Sequence, residues 1–459
     1  MVGHFAHGAE DGLPMPRRLW AVVSISAGSV LYTLDGGIPN VALPVIAGKL
    51  GVPASTAVLL VSVYNLVLAM VLLPLAAVGE RLGHRRVFVA GLVLYLFASV
   101  GCFFSSSMPV LLVFRAFQAL AGAGVLSVSL AMVRLVYPQA MLGRGLGVNT
   151  MASSLGAAVA PPLGGLILGQ APWQAVFVAG IPLALLGLAA SRALPEPQTA
   201  GGAYDAKGAA LCALTFGLLI SGIQALGSGA AAWQAWAAIA AIAAGAAVAV
   251  WFVRHEGRTV LPVLPVDLLA RPALALSIAG ALLAVLASTT LLLYLPFRLH
   301  ALGVGSVEIG AMIAPYAVMV MIAAPTSGML SDRISPALLG TLGLVLACFG
   351  LASMIWIPDA PSYTDVAWRT ALCGLGFSLF FSPNGRMVVG SVARDRAAGA
   401  SSLLSTTRMF GQALGSSGLS GVLALGLPAA APVLAATVLA VIGLACSAAR
   451  MVVRPAEGD

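Results

Sequence analysis

The sequence predicts an all-α polytopic membrane protein with fourteen transmembrane helices, and three observations carry that prediction. Of 459 residues, 60% are hydrophobic and only 8% are charged, about a third of the roughly 25% found in water-soluble chains. Mean hydropathy is +1.03. The apolar runs exceed twenty residues and do not alternate, which selects helices over the roughly 10-residue alternating strands of a membrane barrel. So few charged side chains cannot coat a chain of this length, so lipid must be its solvent over most of the surface. Fifty-two Gly and 27 Pro agree, because lipid-embedded helices tolerate both and small residues let helices approach closely.

Taken in order, charged or Pro/Gly-rich breaks bound each span. The first, 19–46, follows Arg17 and Arg18 and far exceeds the 7–15 apolar residues of a cleavable signal, so it is expected to stay as a helix. The second, 55–78, runs into a loop holding Arg81, Arg85 and Arg86. Spans at 87–106, 109–135, 145–169 and 173–193 follow, with Arg134, Arg144 and Arg192 at their edges. A polar stretch, 194–205, precedes two further helices at 206–227 and 233–253, the latter rich in Ala. After a second polar stretch, 254–272, come 273–299, 306–330, 337–357, 365–389, 398–425 and 430–450. Fourteen spans of about 20 residues consume about 280 residues and leave no room for a soluble domain. Setting the seventh and eighth apart divides the chain into a six-helix half (1–194), an insert with its linkers (195–270) and a second six-helix half (271–459).

Basic residues set the expected orientation. With both termini cytoplasmic, eighteen of the 23 Lys and Arg fall on the inner side and only Lys49, Arg298 and Arg369 on the outer side, as the positive-inside bias requires. Arg115 and Arg408 remain, both within apolar helices. The net charge of +8 is dispersed, so nucleic acid is not an expected partner. Five single cysteines, an odd count without CxxC spacing, argue against a disulfide framework or zinc site. The five His lie in the tail or at loop level and no HExxH occurs, which argues against an intramembrane protease. No phosphate-binding Gly-rich loop is present, so a gradient is the expected energy source and no cofactor is expected. An enzyme is therefore not expected.

Asp35 is the sharpest single residue. It lies midway along the first span, and no other carboxylate sits deep in an apolar run. An acid there costs about 2.5–3.5 kcal/mol on insertion scales, so it normally faces the bundle interior and serves a function. Proton or cation coupling is one reading, and a helix–helix hydrogen bond is the other. Gly36, Gly37 and Pro39 follow within a turn and are expected to weaken the helix beside the acid. Arg115, in the fourth span, is always charged and needs a partner or a polar cavity. The loops Gly79-Glu80-Arg81-Leu82-Gly83-His84-Arg85-Arg86 and Gly328-Met329-Leu330-Ser331-Asp332-Arg333 form a weak repeat, as expected of a transporter with its site between two equivalent halves.

Leu34-Asp35-Gly36-Gly37-Ile38-Pro39-Asn40-Val41-Ala42-Leu43-Pro44 resembles the first-span motif of the fourteen-span drug:proton antiporters of the major facilitator superfamily, L-D-x-T-I-V-N-V-A-L-P, with Gly37 for Thr and Pro39 for Val. Arg115-Ala116-Phe117-Gln118-Ala119 is similar to the R-x-x-Q-G pattern, with Ala119 for Gly. Gly156, Pro161, Gly164 and Gly165 match G-x-x-x-G-P-x-x-G-G, with Ala160 for the second Gly. The loop after the second span is similar to G-x-L-x-D-R-x-G-R-R, with Ala76, Glu80 and His84 as departures. Arg408-Met409-Phe410-Gly411-Gln412 looks like the family's thirteenth span.

The resemblance implies the major facilitator fold and proton-coupled export, with Asp35 and Arg115 in proton transfer. It assigns Glu80, Arg81, Gly83 and Arg85, with Asp332 and Arg333 in the second half, to a conformational latch, and the 156–165 motif to antiport. Tyr32, Asn40, Tyr64, Asn65, Gln118, Asn149, Tyr294, Tyr316, Phe380, Asn384 and Arg408 are candidates for the central cavity. The expected substrate is a small lipophilic molecule, whether a monovalent cation, a neutral lipophile or a dedicated metabolite. Expected partners are protons and the bilayer of the cytoplasmic membrane, with the chain acting as a monomer. An uptake symporter or metabolite exporter of the same fold, and a non-transporting sensor or channel, are the alternatives.

Overall fold

The computed structural model describes residues 12–138, 141–195, 206–227, 232–256, 266–331, 333–392 and 397–452. Fourteen α-helices are described, with no strand among these residues. The first six are Arg17–Leu50 (α1), Ala54–Leu82 (α2), His84–Phe103 (α3), Met108–Val136 (α4), Leu142–Gln170 (α5) and Ile181–Ala190 (α6). Ala206–Gly227 (α7) and Ala232–Glu256 (α8) follow. The rest are Pro272–Ala301 (α9), Ser306–Leu330 (α10), Pro336–Ser353 (α11), Tyr363–Gly390 (α12), Ala397–Ala424 (α13) and Ala431–Val452 (α14).

Two local features depart from a simple reading of apolar runs. The sixth span is not one helix: a 3-10 turn, Trp173–Phe177, precedes α6, and Pro182 enters at the start of α6, where its missing N–H costs nothing. Conversely, α1 runs unbroken through Pro39 and Pro44, so the weakening expected after Asp35 does not open the helix. Ile38, Pro39, Val41, Ala42, Leu43 and Pro44 are all buried there, and dense packing holds the helical course.

Twelve helical segments are long and apolar enough to cross a membrane by length and composition. The two helices outside that set, α12 and α13, are as long but bury polar side chains on their inward faces. These are Thr370, Ser378 and Asn384 in α12, and Thr406, Thr407, Ser416, Ser417 and Ser420 in α13. Low hydropathy here reflects a polar interior face, as at the core of a bundle that encloses a polar path.

Helix α1 packs on α2, α4, α5 and α6, and α3 on α4. In the other half, α9 packs on α13 and α14, and α12 on α10 and α11. The halves meet along two seams, α5 with α10 and α2 with α13. Their closest approach lies away from the end of the bundle where α1 starts and α14 finishes. A Cβ added at Gly165 would stand 2.6 Å from the Ser306 carbonyl, and one at Gly310 would stand 2.5 Å from the Pro161 carbonyl. Only glycine lets these backbones touch. On the other seam, Ser420 Oγ donates to the Ser55 carbonyl at 2.9 Å.

The core follows the same division. One cluster crosses both halves near that end, through Leu43, Ile46, Leu60, Leu295, Ile309 and Leu351. Towards the terminal end the clusters separate, one within the first half from Ala21 to Leu194, the other spanning α7, α9 and α13. Helix α7 lies against both α2 and α13. Phe216 meets Phe410 with ring centroids 5.4 Å apart. Helix α7 thus covers the α2–α13 seam, and α8 packs on α7.

Candidate functional site

Asp35 and Arg115 face one another inside the first half. Arg115 Nη1 donates to Asp35 Oδ2 at 2.9 Å, and Nη2 donates to the Asp35 carbonyl at 2.9 Å. Both side chains are shut away from solvent, at 0% and 2% exposure. The pair is held from three sides. Tyr95 of α3 donates its hydroxyl to Asp35 Oδ1 at 3.2 Å. Gln118, one turn after Arg115, accepts from Nη1 at 3.0 Å and donates to Ser99 Oγ at 3.0 Å and the Phe177 carbonyl at 3.3 Å. The Tyr64 ring of α2 lies under the guanidinium, 4.1 Å from Cζ, a cation–π contact strengthened by desolvation.

A buried ion pair gains little net stability, because desolvating two charges offsets most of their attraction, yet losing one partner costs several kcal/mol. A proton added to Asp35 removes the charge that Arg115 faces. Arg115 Nε and the Tyr64 hydroxyl are already buried without hydrogen-bond partners.

Beside the acid is a void of about 10 Å³, lined by Tyr32, Asp35, Tyr64, Tyr95 and Gly122 among others, about the room one water needs. Across Tyr32 and Tyr64 is a larger cavity of about 230 Å³ between the halves. Its walls come from α1 (Tyr32, Gly36, Gly37, Asn40), α2 (Tyr64, Asn65), α5 (Ala157, Pro161), α9 (Leu292), α10 (Ile313, Tyr316, Val320) and α13 (Gln412). Tyr32 and Tyr64 border both spaces. They are the partition between the acid and the cavity.

The structure therefore brings Tyr32, Asn40, Tyr64, Asn65 and Tyr316 to one cavity and leaves other candidates elsewhere. Gln118 belongs to the ion-pair network. Asn149 accepts from Ser29 Oγ at 2.6 Å across the α1–α5 contact. Tyr294 donates to the Ala429 carbonyl and borders a separate cavity of about 350 Å³ with Pro44, Arg298 and His300. Phe380 is fully buried, and Arg450 Cζ lies 5.9 Å from its ring. Asn384 accepts from Arg450 and donates to the Ser277 carbonyl at 3.2 Å. Arg408 is exposed, with Cζ 5.7 Å from the Phe381 ring.

The 156–165 motif is a packing device here. A Cβ at Gly156 would strike Thr33 and stand 2.7 Å from the Val30 carbonyl, and one at Gly164 would stand 3.1 Å from the Ile38 carbonyl. The motif thus seats α5 on α1 with one edge and, through Gly165, on α10 with the other. In the loop after α2, Gly83 turns the chain with φ +96°, while Glu80 and Arg81 are exposed and Arg85 is half-buried. Among the described residues Glu80 has no ion-pair partner. Arg333 is exposed; Asp332 lies outside the described residues. Nearby, Arg386 Nη1 donates to Ser331 Oγ at 2.9 Å.

Tyr95, Ser99 and Gln412 were not singled out in the sequence. Tyr95, Ser99 and Cys102 share one face of the third span at i, i+4 and i+7 spacing, and Gln412 stands one turn beyond Arg408. These polar stripes were the available signal.

The Major Facilitator Superfamily model matches residues 25–416. The chain is 36% identical to YebQ of Escherichia coli (strain K12), an uncharacterized transporter, over 88% of this chain and 89% of that one. It is 29% identical to the multidrug resistance protein Stp of Mycobacterium tuberculosis (strain CDC 1551 / Oshkosh), over 89% and 76%. In fold it resembles a bacterial homologue of the human lysosomal transporter Spinster, crystallised in an inward-facing, unoccupied conformation, with a TM-score of 0.69 over 95% of this chain and 98% of that one at 16% identity.

Proposed function

The chain belongs to the major facilitator superfamily of transporters, and from that premise we propose that it is a proton-coupled exporter of small lipophilic molecules. The single observation that carries this reading is the partition. Asp35, bonded to Arg115, shares the walls Tyr32 and Tyr64 with the cavity between the halves. A proton on Asp35 loosens its bond to Arg115, and the guanidinium rests on Tyr64. The charge state of the acid is thereby coupled to the shape of the cavity wall. Binding of proton and substrate then influence one another reciprocally.

Alternating access would rock α1–α6 against α9–α14, parting the glycine contacts of the α5–α10 seam and the α2–α13 seam in one direction. The latch residues Glu80, Arg81, Gly83 and Arg85 would govern the terminal end. Outward direction draws on the 156–165 motif and on the resistance function in the name of Stp. The arginine bias supports the reading that both termini lie in the cytoplasm, with the chain in the cytoplasmic membrane.

The test is gradient-driven transport in liposomes with an imposed pH difference, using a panel of cationic, neutral and anionic lipophilic dyes. Transport in wild type that is abolished in Asp35→Asn is the expected result. Transport that survives in Asp35→Asn moves the coupling to another residue, and movement indifferent to the pH difference overturns antiport.

A further inference from the structure

We propose that the central cavity selects small amphipathic organic anions, with Arg408 as the group that recognises their charge. This rests on the transporter reading above and names the substrate class of that same cavity.

Arg408 lies in α13 among elements of both halves. Its electrostatic neighbours are the phenols of Tyr32 in α1 and Tyr316 in α10, both of which line the cavity. Its guanidinium lies over Phe381 of α12 at 5.7 Å, one turn from Gln412 in the cavity wall. The side chain is exposed and stands beside the cavity rather than among its lining residues; the next residue, Met409, takes the Tyr32 hydroxyl on its Sδ at 3.9 Å. Among the described residues no carboxylate pairs with it and no acceptor takes a hydrogen bond from it. A guanidinium keeps its charge in any such setting, and an intramembrane charge facing a cavity marks a ligand path.

The opposite charge is missing from the cavity. Asp35 is the one carboxylate deep in an apolar run. Its side chain is 2% exposed, paired with Arg115 and bonded to Tyr95. A cationic substrate would therefore meet the uncompensated field of Arg408 with no acid to offset it. Two of the nearby aromatic rings already carry a cation, Tyr64 with Arg115 at 4.1 Å and Phe381 with Arg408 at 5.7 Å. An anion instead finds the free guanidinium of Arg408. Leu292, Ile313 and Val320 supply the apolar surface for the rest of the molecule. A volume of about 230 Å³ is below the roughly 300–1,000 Å³ of drug-sized sites, so the ligand is small. Of the classes expected from sequence, the monovalent cation is the one this arrangement disfavours. Exchange of one proton inward for one monoanion outward also moves two positive charges inward, so a potential negative inside would drive it.

The test is equilibrium dialysis of three probes that share one apolar body against the purified full-length protein. The probes are naphthalene-2-sulfonate, 2-naphthalenemethanol and (2-naphthylmethyl)trimethylammonium. The sulfonate is expected to bind at least tenfold more tightly than either other probe. That margin should vanish in Arg408→Gln and persist in Arg408→Lys. The proposal is overturned if the ammonium probe binds as tightly as the sulfonate, if the sulfonate's margin survives in Arg408→Gln, or if no probe is preferred. Binding needs no gradient, so these failures leave the Asp35 coupling untouched. Gradient-driven transport that survives Asp35→Asn would in turn overturn the coupling while leaving the probe preference standing.

Discussion

Asp35→Asn and Arg115→Gln, alone and together, test whether the ion pair behaves as a coupled unit. In Asp35→Asn the volume is kept, but the 2.9 Å ion pair is lost. Arg115 retains the Asp35 carbonyl at 2.9 Å and Gln118 at 3.0 Å, neither of which carries a formal charge. An orphaned buried charge costs about 3–5 kcal/mol. At about 2.1 cal/mol/K per residue, 459 residues have an unfolding entropy of about 1 kcal/mol/K, so each single variant should lower Tm by about 3–5 °C. Removing both charges leaves none unpaired, and replacing a buried pair with neutral groups is often close to neutral. The double variant should therefore melt above either single one, with a coupling of about 3 kcal/mol or more. The assay is thermal unfolding of all four proteins in the same detergent by far-UV circular dichroism. A double variant whose loss equals the sum of the two single losses would refute the reasoning, since the two charges would then be energetically independent.

Other consequences are local. Gly310→Val pushes a branched side chain into the Pro161 carbonyl, and should cut liposome transport at least tenfold while the helical spectrum is unchanged. Tyr64→Phe removes a buried hydroxyl without a partner, so stability in a melt should hold or rise by up to about 1 kcal/mol. Tyr64→Ala, which also forfeits the cation–π contact, should cost about 3 kcal/mol or more. Gly83→Ala forces a β-carbon into φ +96° and should lower stability by about 1–2 kcal/mol, with no change if that turn is not strained.

Several features were open to a linear reading because they depend on one helix at a time. Run length and charge scarcity set the helical class and the fourteen helices, since each helix must satisfy its own backbone in lipid. The cost of a buried acid made Asp35 stand out without any knowledge of its surroundings. The motif resemblance put Arg115 beside it, and the two side chains are 2.9 Å apart. Other features resisted. Asn384 and Arg408 look alike in sequence, as polar residues in apolar helices. Yet Asn384 is 1% exposed and committed to Arg450 and Ser277, whereas Arg408 is exposed. Span six looks continuous, but its first turn is a separate 3-10 segment whose Phe177 carbonyl takes a bond from Gln118.

What the sequence determined by itself is the set of costs: a polypeptide that must live in lipid, one carboxylate too expensive to be idle, and two arginines that must find company. Which company they found was decided by the tertiary structure. Arg115 met a carboxylate, a phenol ring and an amide because α1, α2 and α4 converge on one point. Arg408 lies over the Phe381 ring and is otherwise exposed. Helical periodicity says which face a residue occupies, but partners sixty or eighty residues away are chosen by how the helices pack against each other. At this site that packing includes Gly122 of α4, where a Cβ would stand 3.0 Å from the Tyr64 hydroxyl, so contact depends on the absence of a side chain.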